Sequence, residues 1–91
     1  MTQNDYIKTI NEWFGVKFIE CKSSNIVAYA YDDKNKHLII AFKGGLVYQY
    51  QKVDKHIFDA LKKAESKGKF VNEFIVRKNP PYKFVKYKVF E

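Results

Sequence analysis

The run NIVAYAYDDKNKHLIIAFKGGLVYQYQ, residues 25–51, decides the fold. Its β-branched and aromatic residues fall into three blocks, separated by two groups of turn formers. Asp32 to Lys36 makes the first turn. The pair Gly44-Gly45 makes the second, because adjacent glycines accept the positive φ that a tight hairpin needs. Three consecutive antiparallel strands follow. With a two-residue turn at Gly44-Gly45, Lys43 faces Leu46, Ala41 faces Tyr48 and Ile39 faces Tyr50. This register puts Tyr48 and Tyr50 on the sheet face of Ile39, with Leu38, Ile40, Phe42 and Val47 on the other. Tyr29 and Tyr31 share the same two-residue spacing on the preceding strand, so up to four tyrosines lie on one face.

Outward from this hairpin run the pattern changes period. Downstream, VDKHIFDALKKAESKG (53–68) predicts a helix capped by Asp54, with Ile57, Phe58, Leu61 and Ala64 inward and Lys62 and Lys63 outward. SKGKFVNEFIVRKNPP (66–81) predicts a shorter second helix, capped by Ser66 and buried through Phe70, Val71, Phe74 and Ile75. Asn79-Pro80-Pro81 ends it, because proline cannot continue the hydrogen-bond ladder. YKFVKYKVFE (82–91) closes the chain as a strand whose lysines suit a protected edge. Upstream, NDYIKTINEWFG (4–15) spaces Tyr6, Ile7, Ile10 and Phe14 on one helical face. Asn4 or Asp5 caps it and Gly15 stops it. VKFIEC (16–21) predicts a short strand.

The reading is one α+β domain over residues 1–91: a small antiparallel sheet of three to five strands, packed by two consecutive helices, with an added N-terminal helix. Residues 1–22 form a helix-and-strand extension, 23–82 the core, and 83–91 a C-terminal strand. Ninety-one residues, 46% hydrophobic and 18% aromatic, supply one core and exclude a disordered chain. Cys21 is the single cysteine, which rules out an internal disulfide and a cysteine-rich zinc site and suits a reducing cytoplasm. No apolar run approaches the roughly 18 residues of a membrane span, and the first residues lack the pattern of a signal peptide. Residues 1–33 hold three lysines against five acids, net −2. Residues 34–91 hold 14 Lys or Arg against five acids, net +9. That asymmetry points to an anionic partner for the later part of the chain.

SSNIVAYAYD (23–32), then Phe42, Gly45, the Tyr48-x-Tyr50 pair, Val53, and SKGKFVN (66–72) with Ile75 together resemble the KTSC domain. The match runs from about Ser23 to Tyr82, roughly two thirds of the chain. That family is a small domain found alone in bacterial and phage proteins and at the C-terminus of some lysyl-tRNA synthetases. RNA binding is the function suggested for it, so the resemblance implies nucleic acid or nucleotide as ligand.

Two groups of residues are candidates to hold such a ligand. The tyrosines 29, 31, 48 and 50 offer rings for base stacking, as sheet aromatics do in several RNA-binding folds. The alternative is that the N-terminal helix covers them and they are core. Ser66, Lys67, Gly68 and Lys69, with Asn72, form a phosphate cradle at a helix start, extended by Lys62, Lys63, Arg77 and Lys78. The alternative is a helix–helix corner in which Ser66 caps and Gly68 only permits close packing. It is not a Walker loop, since Phe70 stands where the metal-binding hydroxyl would be. Ser23, Ser24 and Asn25 offer further polar contacts, or a turn held by its own side chains. Neither His37 nor His56 has a nucleophile motif beside it, and Asp32-Asp33 lacks the spaced oxygen ligands of a metal loop. The expectation is therefore no catalysis, no metal and no cofactor.

Three functions compete on this reading. The first is a binding module for RNA or single-stranded nucleic acid. The second is a small, phage-encoded oligomeric protein that sequesters a nucleotide signal, self-associating through the N-terminal helix or the C-terminal edge strand. The third is a protein–protein adaptor that docks at that edge strand. All three are placed in the cytoplasm of a bacterial cell, free or phage-infected.

Overall fold

The hairpin at Gly44-Gly45 is one residue wider than its sequence suggests, and that single residue sets which face each tyrosine occupies. In the computed structural model, which describes residues 2–90, strands β2 (Ile26–Asp32), β3 (His37–Phe42) and β4 (Leu46–Tyr50) run antiparallel. Ala41 lies opposite Val47, Ile40 opposite Tyr48 and Leu38 opposite Tyr50. The loop is Lys43-Gly44-Gly45, with both glycines at positive φ (89° and 86°). A three-residue loop shifts the pairing by one and flips every side chain of β4. Tyr48 and Tyr50 therefore share a face with Leu38, Ile40 and Phe42, not with Ile39. The Phe42 and Tyr48 rings meet edge to face at 5.5 Å.

Gly45 is required for a second reason. A Cβ there would lie 2.6 Å from the carbonyl oxygen of Phe90, and Val89 donates its N–H to the Gly45 carbonyl at 2.7 Å. The end of the chain is thus seated on the hairpin loop. Tyr6 locks it from the other side, its hydroxyl directed at the carbonyls of Phe42 (2.9 Å) and Leu46 (3.3 Å).

The short β1 (Ile19–Glu20) and the C-terminal β5 (Phe84–Lys88) complete a five-stranded meander in sequence order, antiparallel throughout. A bulge between Ile26 and Ala28 lets two consecutive residues, Val27 and Ala28, face the same side. On that side α1 (Gln3–Phe14) lays Tyr6 and Ile10 onto Val27, Ala28, Ala30, Ile39, Ala41 and Val47. Three alanines beneath the helix allow a close approach. On the other side, α2 (Lys55–Lys63), α3 (Lys67–Val71) and a π-helical turn (Asn72–Val76) bury Leu61, Val71 and Ile75 against Ile26, Tyr29, Leu38, Ile40, Tyr50 and Val53. The N-terminal helix thus covers the alanine face, and the face bearing the tyrosines belongs to α2 and α3.

Helix ends follow the expected chemistry with three corrections. Thr2, rather than Asn4 or Asp5, caps α1, in a reciprocal box with Asp5. Asp54 occupies the N-cap position of α2, but its side chain makes no cap bond; it lies 3.9 Å from the Lys36 ammonium instead. Phe74 is exposed rather than buried. The register changes from α to π at Asn72, which rotates Phe74 out against Phe70 (4.7 Å between rings) while keeping Ile75 in the core.

Candidate functional site

The stretch Ser66-Lys67-Gly68-Lys69 caps and opens α3 just after α2 ends, and Ser66, Lys67 and Gly68 each have a defined task. The Ser66 hydroxyl accepts from the Lys69 N–H at 3.2 Å and caps α3. The Lys67 ammonium turns back to donate to the carbonyls of Lys62 (2.8 Å) and Ala64 (2.6 Å), the unpaired acceptors at the end of α2. Lys67 is therefore only half exposed and its ammonium is engaged at the end of α2, although the residue lines the same polar hollow as Ser66, Gly68, Lys69 and Asn72. Gly68 sits against the Ser23–Asn25 turn, where a Cβ would come within 2.7 Å of Asn25 Oδ1 and 3.2 Å of Ser23 Oγ. That turn is tied to itself: Ser23 Oγ accepts from the N–H groups of Asn25 and Ile26 and donates to Asn25 Oδ1. Ser66, Gly68, Lys69 and Asn72 do meet Ser23, Ser24 and Asn25 around one polar hollow of about 490 Å³. Much of its bonding capacity is spent on the corner itself.

A second hollow lies beside it and shares Ser24 and Asn25 with it. Because α2 packs on β2 and α3 follows it, the helices cover the β2–β3 half of the sheet and leave the β4–β5 half open. The opening is a cleft of about 520 Å³, walled by Phe42, Leu46, Tyr48, Val76, Tyr82 and Phe84 over the buried Tyr50. Its rings form a continuous platform. Tyr48 lies 5.2 Å from Phe84 at a 30° tilt and 6.0 Å from Tyr50, nearly parallel to it. Phe84 is 51% exposed, an unusual state for a phenylalanine with a groove beside it. Among the described residues, the one charged residue lining the cleft is Lys43. Lys86 lies opposite Tyr48 on β5 and so projects from the same face. Burial pushes the Tyr50 phenol up to about 12, and it also raises that of Tyr82, with Asp54 adding to the shift.

The residues named from sequence divide accordingly. Tyr48 reaches the cleft. Tyr50 forms its floor. Tyr29 and Tyr31 share the face, as the strand spacing implied, but α2 covers them: Tyr29 is buried and Tyr31 stacks on Phe58 at 5.3 Å while its hydroxyl donates to the Val53 carbonyl. Those two rings and Tyr50 are therefore out of reach of a base. Lys62 is held near Asp59 (3.6 Å) and over the Phe58 ring. Lys78 lies over the Tyr82 ring and donates to the Pro80 carbonyl. Lys63, Lys69 and Arg77 are exposed. Cys21 is half-buried, and burial raises its thiol pKa against the opposing pull of Lys67. Among the described residues, no three His, Cys, Asp or Glu side chains are grouped to hold a metal, and no helix is long and apolar enough to cross a membrane.

The cleft residues that sequence reasoning passed over are Phe42, Leu46, Val76, Tyr82 and Phe84. Phe42 stood out through the family pattern, and Phe84 through its alternation with Lys86 and Lys88 on an edge strand, which reads equally as protection against aggregation. The fold is shared with a known protein. The profile of the KTSC domain matches residues 22–78. The chain belongs to the KTSC domain family. A protein of Tsukamurella paurometabola is 43% identical over 54 residues, 59% of this chain and 81% of its own length. A lysine–tRNA ligase of Nostoc punctiforme is 33% identical over 67 residues, 74% of this chain but only 12% of the ligase. The crystal structure of a KTSC domain protein from Yersinia pestis superposes with a TM-score of 0.68 at 29% identity, over 82% of this chain and 99% of that one. Trp13, Phe14 and the β5 residues all lie outside the matched span 22–78.

Proposed function

We propose that this KTSC domain is a non-enzymatic binding module for RNA or another single-stranded nucleic acid, working in the cytoplasm. The observation that carries the reading is the open β4–β5 half of the sheet. A base fits flat against Tyr48 and Phe84 in a cleft that no carboxylate lines among the described residues. Lys43 and Lys86 flank it on the same face, and Lys69 and Arg77 lie on the exposed surface beyond. Base–aromatic stacking is sequence-tolerant and contributes about 1 to 3 kcal/mol per base. Phosphates on lysines add affinity that falls with salt. The resemblance of this chain to a stretch of a lysine–tRNA ligase supports an RNA ligand over DNA.

A second reading, capture of a small nucleotide by an oligomer, draws on the size of the cleft. About 520 Å³, with Ser24 and Asn25 in its lining, suits one nucleotide as well as one base of a strand. Affinity for a short mixed RNA and for a panel of linear and cyclic nucleotides, each at two salt concentrations, separates the two. A polymer that neutralises several lysines loses affinity steeply as salt rises. Tight nucleotide binding with a shallow salt slope, and retained nucleotide in native mass spectra of protein purified from cells, would replace the first reading by the second. Binding of neither class would sink both and leave the edge strand as a protein-docking site.

A further inference from the structure

The Ser23–Asn25 turn stands between the aromatic cleft and the polar hollow, and Ser24 and Asn25 line both. The two spaces differ in chemistry. The cleft is walled by rings, with Tyr48 and Phe84 as its platform. The hollow has three lysines in its lining, Lys22, Lys67 and Lys69, against one carboxylate, that of Glu65. The corner between α2 and α3 spends only part of this polar set. It takes the Ser66 hydroxyl, the Lys67 ammonium and the Ser23 hydroxyl. It leaves the Ser24 hydroxyl, the Asn25 Nδ2 and the Asn72 side chain without a hydrogen bond among the described residues. The ammonium groups of Lys22 and Lys69 likewise have no carboxylate within 4 Å among those residues.

Every group left over can donate a hydrogen bond, and the two ammonium groups carry full positive charge. Lys67 adds its charge as well, because the neutral carbonyls that hold it do not cancel it. An anion with several acceptor oxygens satisfies such a set, and a phosphate presents them on one compact group. No helix-end donor is needed, since the Lys69 N–H is already taken by the Ser66 hydroxyl. Neither space does the work of the other: no ring lines the hollow among the described residues, and Lys43 is the one lysine of the cleft. A slot for a flat apolar face, joined across one turn to a cationic hollow, has the two-part character of a nucleotide.

Resting on the nucleic-acid reading above, we infer that the hollow is the phosphate subsite of the same site. The nucleotide whose base stacks on Tyr48 and Phe84 reaches across Ser24 and Asn25 and sets its phosphate on Lys22 and Lys69. The strand is thereby directed over the Ser23–Asn25 turn toward α3. The test is the affinity of a short single-stranded RNA, measured over a range of salt, for wild type and for Lys22→Gln, Lys69→Gln and Lys63→Gln. All three lysines are exposed, so each variant should fold, which circular dichroism checks. Lys63 lines neither space and controls for charge acting at large. A phosphate contact to a single strand contributes about 0.7 to the slope of log affinity against log salt. Lys22→Gln and Lys69→Gln should therefore each flatten that slope by about 0.7 and lower affinity roughly fivefold at about 0.1 M salt. Lys63→Gln should change neither. Lysine variants that bind as tightly as wild type, where Phe84→Ala weakens binding, would overturn the subsite and leave the nucleic-acid reading standing. A loss in Lys63→Gln equal to theirs, or a loss in the lysine variants with none in Phe84→Ala, would overturn the pairing of hollow and cleft. No RNA binding by the wild type would overturn both.

Discussion

At the scale of single residues, the basic corner Ser66–Lys69 shows how one motif can serve folding while looking like a ligand site. Lys67 and Lys69 are chemically identical and two residues apart, yet only Lys67 returns its ammonium to the end of α2. Lys67→Met should therefore lower stability by about 1 kcal/mol, the usual loss for a partly exposed charge-assisted bond. Lys69→Met should change it by less than about 0.5 kcal/mol. Urea denaturation of the two variants decides the matter, and equal midpoints would contradict the assignment. Nothing in the sequence distinguishes the two lysines, because the difference arises from how α3 turns relative to α2. The role of Gly68 was legible, since a glycine at a helix corner already suggested close packing. Its partners, Ser23 and Asn25, were not.

Tyr6 offers a further residue-scale test. Its hydroxyl spans the hairpin loop, and burial pushes its pKa from the usual 10.0 up to about 12. The unfolded chain releases this proton near pH 10 while the folded protein retains it. The contribution is therefore full below pH 10 and is lost as pH rises toward 12. Tyr50 behaves in the same direction. Stability measured by chemical denaturation should fall above pH 10. Tyr6→Phe should cost about 1 kcal/mol at neutral pH and make the alkaline fall shallower. An unchanged alkaline slope in Tyr6→Phe would show that this phenol is not protected by the fold.

At the scale of elements, strands and helices were legible from periodicity, while the hairpin register, the Thr2 cap of α1 and the absence of a cap bond at Asp54 were not. The three strands of residues 25–51, the Ser66 cap and the Gly15 stop lie where the pattern put them. The hairpin register missed by one because paired glycines fit both a two-residue and a three-residue loop. The longer one is the loop that Phe90 and Tyr6 contact in the folded chain. Gly45→Ala should accordingly destabilise the protein by about 1 to 3 kcal/mol, combining positive φ with a backbone clash. The caps give a paired test. Ser66→Ala should cost about 0.5 to 2 kcal/mol, as loss of a bonded N-cap does. Asp54→Ala, which removes no cap bond, should stay within about 0.5 kcal/mol. Thermal or urea midpoints that reverse this order would contradict the capping described.

At the scale of the whole molecule, the proposed function rests on unequal coverage of one sheet. Helix α1 closes the alanine-rich face, and its early end leaves a hollow beside Trp13. Helices α2 and α3 close only half of the tyrosine face and leave the aromatic cleft. Family and fold could be read from residues 23–75, but the cleft could not. Phe84 joins it only through pairing of β5 with β4, a contact between residues 34 apart at Tyr50 and Phe84. The most direct test of nucleic-acid binding is the affinity of a short single-stranded RNA for wild type and for Phe84→Ala at one fixed salt concentration. Phe84 is half exposed on an edge strand, so the variant should fold. Loss of one stacking platform, about 1 to 3 kcal/mol, predicts affinity lower by roughly five- to 150-fold. A folded Phe84→Ala protein that binds the RNA as tightly as wild type would contradict the account.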